Sequence, residues 1–92
     1  MKIRWTTEAT ANLEHIRRHI EEDNPEAAIR TVRAIFEHIK KLSAFPNHGR
    51  IGRKEGTREL VLSPLPYFVA YRVHDSTVEI LYIRHGAQQQ QD

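Results

Sequence analysis

The 92 residues carry 14 lysines and arginines against 12 aspartates and glutamates, a formal charge of +2, with 39% hydrophobic and 28% charged residues. This is the composition of an ordinary globule, and the length allows one core that buries roughly 60 to 65% of the unfolded chain's surface. The absence of cysteine excludes disulfide staples and thiolate metal centres, and no apolar run approaches the ~20 residues that span a bilayer.

The opening MKIRWTTEAT lacks a signal peptide's apolar stretch, so a cytoplasmic location away from membranes is expected. Lys2 to Thr6 reads as a short strand, after which Thr7 can cap a helix whose first turn carries Glu8. Ala9, Leu13, Ile16 and Ile20 form one apolar stripe, with Arg17, Arg18, Glu21 and Glu22 on the wet side. In EEDNPEAA one helix stops and the next starts, Asn24 capping it and Pro25 filling its first position. Ala28, Val32, Ile35, Phe36, Ile39 and Leu42 extend a second stripe to about Ser43, and so short a connection makes the two helices antiparallel. His15 and His19 stand at a zinc-compatible helical spacing, but no third ligand is apparent, so no metal and no cofactor are expected.

After FPNHGR comes a glycine-rich basic loop in which Arg50, Arg53, Lys54 and Arg58 oppose Glu55, a local charge of +3. It lacks the spacing of a nucleotide-binding P-loop and reads as a mobile cationic arm for phosphates or an acidic protein surface. The hydrophobic period then changes to two, giving strands over Thr57–Leu62, Tyr67–His74 and Thr77–Arg84. Taking Asp75-Ser76 as a two-residue turn pairs Arg72 with Glu79 and Ala70 with Leu81. One face then carries Tyr67, Val69, Tyr71, Val73, Val78, Ile80 and Tyr82 and lies under the helices; the other carries Phe68, Ala70, Arg72, Glu79, Leu81 and Ile83. A four-residue loop at Ser63–Pro66 would also set Glu59 beside Arg72, leaving that arginine between two carboxylates. The expected architecture is α+β, a helical hairpin on one face of a small, mostly antiparallel sheet in the order β-α-α-β-β-β. Residues 1–86 are expected to form one domain and the polar tail 87–92 to fray.

This order, with the segments RWTTEA, NPEAA, FPNHGRIGRKEGTRELV, PYFVAYRV and VEILYIRHGAQ, resembles the RelE/ParE toxins of bacterial type II toxin–antitoxin modules, nearer the ParE branch, over nearly the whole chain. The resemblance implies a toxin that arrests growth until a cognate antitoxin neutralises it in a hetero-oligomer. ParE-like members act on DNA gyrase, whereas RelE-like members are endoribonucleases that cleave messenger RNA on the ribosome; one fold hosts both. The gyrase reading makes Arg50, Arg53, Lys54, Arg58, Arg84 and His85 the target-binding surface, with Arg84 extending the basic loop. The nuclease alternative assigns His85 as acid–base group and Arg58 and Arg72 as phosphate-binding cations. Phe68, Leu81 and Ile83, with the groove between the helices, are the expected antitoxin-binding surface.

Overall fold

The structure, a computed structural model, describes residues 1–86; the tail expected to fray lies outside the described residues. β1 (Lys2–Trp5) leads into α1 (Thr7–Glu21), and α2 (Pro25–Lys40) continues into a short 3-10 turn at Lys41–Ser43. β2 (Arg50–Ile51), β3 (Arg58–Val61), β4 (Tyr67–His74) and β5 (Thr77–His85) complete one five-stranded sheet in the order β1-β5-β4-β3-β2. Only β1 and β5 run parallel; the other pairs are antiparallel. The expected α+β layering therefore holds.

The helix caps show how closely local chemistry sets the boundaries. Asn24 accepts a hydrogen bond from Ala27 N at 3.0 Å, and Pro25 occupies the first turn of α2 as expected. At α1 the cap is Thr6 rather than Thr7: its Oγ1 accepts from Ala9 N at 3.1 Å. The same hydroxyl lies 2.8 Å from Ile80 O and 3.0 Å from Leu81 O, so it fastens the strand–helix junction to β5.

That contact sits at a register change. From His74–Thr77 to Tyr71–Ile80 the hairpin pairs as expected, but Ala70 then pairs with Tyr82, leaving Leu81 as an extra residue. One inserted residue turns every later side chain to the other face. Ile83 is thereby in the core, 3% exposed, rather than on the antitoxin-binding face assigned to it. Tyr82, expected under the helices, moves to the opposite face and stacks edge-on against Phe68 at 6.4 Å between centroids. Phe68 itself is buried there.

Between the helices and the sheet Ile35, Ile39, Leu42, Val69, Val78 and Ile80 are almost wholly enclosed, each aliphatic side chain contributing roughly 1.5 to 3 kcal/mol. Phe36 departs from its stripe: it is 48% exposed, at the edge of the sheet against Trp5, their rings 5.3 Å apart.

Candidate target-binding surface

The basic loop folds back on itself as a β-hairpin. Arg50 pairs with Glu59 and Ile51 with Arg58, and Gly52 N donates to Thr57 O at 2.8 Å. The turn closes with Thr57 N and Oγ1 both donating to Lys54 O, at 3.1 and 2.6 Å, and Gly56 takes the left-handed φ of 80°. The sequence gives no periodic signal for a two-residue strand.

Behind the hairpin, Tyr71 organises the chain that feeds it. Its buried hydroxyl donates to Pro46 O and accepts from Gly49 N, both at 2.8 Å. Burial raises the phenol above its ordinary pKa. Arg58 donates to Gly49 O at 2.8 Å and to Asn47 O at 3.5 Å, so its guanidinium braces backbone carbonyls.

On the sheet face away from the helices, the carboxylates and arginines are arranged differently from the expected Glu59–Arg72–Glu79 row. Glu59 pairs with Arg50 at 3.4 Å and accepts from Arg53 N at 3.4 Å. Glu79, with its side chain 8% exposed, sits between Arg72, at 2.6 Å, and Arg4. The paired strand β1 supplies Arg4, a partner missed because a parallel neighbour leaves no turn signal in the sequence. Hydrogen bonds first from Arg4 and then from Arg72 hold the Glu79 carboxyl below the usual carboxylate range. A buried carboxylate with two arginines is a stable structural knot, and it engages the Arg72 guanidinium.

The end of β5 is a separate place. Arg84 lies over the Tyr82 ring, 3.9 Å from its centroid, and 3.7 Å from Glu8 of α1. His85 is in register with Tyr67, their rings 5.8 Å apart, and opens on a cleft of about 320 Å³ that Asn12, His15 and His19 also line. Asn12 satisfies Ile83 N at 2.9 Å, where β5 has run past β1. Among the described residues no group of three or more histidines, aspartates or glutamates could hold a metal. Arg84 pairs opposite Phe68 and Arg58 opposite Tyr71. Three residues along and two strands across separate the two arginines by about 14 Å, so Arg84 does not extend the basic hairpin as expected.

Residues 3–90 match the family model described as ParE toxin of type II toxin-antitoxin system, parDE. The chain is 44% identical over 88 residues to the toxin Y4kP of Sinorhizobium fredii, covering 96% of this chain and 91% of the relative. It is 39% identical over 83 residues to toxin RelE2 of Caulobacter vibrioides, covering 90% and 92%. Among solved structures it superposes on the chromosomal ParDE toxin–antitoxin system from P. aeruginosa with TM-score 0.84 and 33% identity, covering 92% of this chain and 95% of that one. The RelBE2 toxin–antitoxin complex of Mycobacterium tuberculosis aligns at TM-score 0.66 and 29% identity, covering 91% and 95%. The chain belongs to the ParE toxin family of type II toxin–antitoxin systems.

Proposed function

We propose that this toxin arrests growth in the cytoplasm by binding and inhibiting DNA gyrase, without catalysis of its own. The observation that carries this over the nuclease alternative is the placement of His85 and Arg72. His85 faces the helix side opposite Tyr67, whereas Arg72 lies on the other face. Five residues of β4 separate the two rows, about 17 Å. An acid–base group and a phosphate-binding cation must converge on one phosphodiester within hydrogen-bond reach, and these two do not. Arg72 is moreover bonded to Glu79, and Arg58 to loop carbonyls.

A cognate antitoxin is the second partner, and of the expected surface it is the groove between the helices that offers the apolar contact. Of the three side chains expected to contact it, Phe68 and Ile83 are buried and Leu81 is half-buried. On α2, by contrast, Ile29 is 58% and Phe36 48% exposed, beside a groove of about 380 Å³ lined by Ala28 and Val32 and rimmed by Arg17, Glu21, Arg33 and Glu37. An amphipathic helix with charged flanks fits such a groove.

Purified toxin is mixed with gyrase and plasmid in one reaction and with translating ribosomes and message in another. Loss of supercoiling or trapped cleaved DNA, with intact message, is expected. His85→Gln should stay within a few-fold of the parent, since removing a general acid–base group would cost roughly 10² to 10⁴. Message cleavage that disappears in His85→Gln would overturn the gyrase reading.

A further inference from the structure

The segment joining the helices to the sheet is held by more bonds than a connection requires. Phe45 N donates to Lys41 O at 2.9 Å and His48 N to Phe45 O at 3.1 Å. The Tyr71 hydroxyl clasps Pro46 O and Gly49 N, and Arg58 holds Gly49 O. A Cβ on Gly49 would fall 2.8 Å from the Tyr71 ring and hydroxyl, so the chain passes this point with no space to spare. Yet this fixed knuckle leaves Phe45 64% exposed. The ring borders a groove of about 660 Å³ formed with Lys41, Ala44, Pro46, Asn47 and His48. Within the hairpin that follows, Ile51 is 74% exposed, directly opposite Arg58.

A rigid backbone that holds apolar side chains in water gains nothing from them within its own fold, and such exposure marks a partner surface. The surrounding charge says which kind. From Lys41 to Arg58 the cations are Lys41, Arg50, Arg53, Lys54 and Arg58 against Glu55 alone, +4 by count, or +3 with Glu59 across the strand. Apolar anchors within a charged rim are the anatomy of a protein–protein contact. A polynucleotide would use the cations but leave Ile51 unmatched, and it would find one exposed ring where single-strand binding uses successive stacking platforms.

We propose that the Phe45–His48 knuckle and the β2–β3 hairpin form one docking epitope for an acidic protein surface, whose apolar side chain seats in the groove beside Phe45. Tyr71 acts as the positioning residue. This deepens the binding-inhibitor reading above by naming the surface that carries it.

Phe45→Ala, Ile51→Asp and the double charge reversal Arg53→Glu/Lys54→Glu would be compared with the parent. The readouts are growth arrest, gyrase binding at low and raised salt, melting temperature and antitoxin binding. Phe45→Ala and Ile51→Asp should each reduce arrest and gyrase binding at least tenfold, with melting and antitoxin binding unchanged. The double reversal should slow association and flatten its salt dependence. Full-strength arrest by both apolar variants overturns the epitope. If the parent ignores gyrase while both apolar variants still lose arrest, the gyrase reading fails and the epitope stands for another protein. Tight binding of RNA or plasmid by the parent that Phe45→Ala removes would make the ligand a nucleic acid and overturn the proposal.

Discussion

Tyr71 illustrates how much one atom can hold. Its hydroxyl is at once donor to the half-buried Pro46 and acceptor from the buried Gly49, on a side chain that is itself fully enclosed. Tyr71→Phe would leave a buried N–H without its acceptor, a loss of about 1 to 3 kcal/mol. Gly49→Ala should cost a similar roughly 1 to 3 kcal/mol by overpacking the same spot, and denaturant titration of both variants checks the pair. Because both act on one contact, the double variant should fall short of their sum. Glu79 gives a pH signature instead. Its folded pKa is lowered, so its stabilisation is complete above the ordinary carboxylate value of about 4.3 and is lost as pH falls through the lowered one. The parent's melting temperature should therefore drop more steeply below about pH 4 than that of Glu79→Gln, which has no carboxyl to titrate. Parallel acid melting curves would remove Glu79 from the account. None of this was readable in advance beyond the Arg72–Glu79 pair: Tyr71 was expected in the core, but the loop that its hydroxyl meets has no fixed position in a sequence.

The elements divide according to how strongly the chain repeats itself. The helical hairpin, β4 and the start of β5 were legible because apolar periodicity, Asn24-Pro25 and the Asp75-Ser76 turn all point the same way. The bulge at Leu81 was not. Ile80, Leu81, Tyr82 and Ile83 are all apolar or amphipathic, so either register fills the core, and the choice falls to Thr6 and Asn12, far away in sequence. The two-residue β2 was lost for the opposite reason, having too few residues to show a period. Within the turn, Asp75 and Ser76 both have positive φ, 49° and 60°, the left-handed pair that a tight hairpin demands. A residue with a Cβ is strained there by roughly 1 to 2 kcal/mol, so Ser76→Gly should stabilise the fold by about 0.5 to 1 kcal/mol. A higher denaturation midpoint at constant slope is the expected result. In the basic hairpin, Arg50→Ala should lower stability by about 0.5 to 1 kcal/mol because it withdraws a partner from the nearly buried Glu59. Lys54→Ala should change it by less than about 0.5 kcal/mol.

Across the whole molecule, the sheet order separates two kinds of exposed surface. β1 is one edge and β2 the other, four strand spacings or about 19 Å apart. Phe36 packs on Trp5 at the β1 edge, continuing the α2 groove proposed for the antitoxin; the basic hairpin occupies the β2 edge. With the antitoxin on the proposed α2 groove and the target on the proposed hairpin epitope, neutralisation and toxicity would be separable by mutation, which a single shared surface would forbid. Phe36→Glu places a charge where an apolar antitoxin helix would pack, and because the ring is half exposed the substitution leaves the core intact. Losing one anchor ring of this kind typically costs more than 1 kcal/mol of binding, and about 2 or more at a hot spot, so antitoxin affinity should fall roughly ten- to thirtyfold. Cells producing Phe36→Glu together with the antitoxin should then stop growing, whereas the parent toxin is neutralised. Without antitoxin, parent and variant should arrest growth equally. Equal neutralisation of both would remove α2 from the antitoxin interface. Loss of toxicity in Phe36→Glu with its melting temperature retained would show that the two partners share one surface.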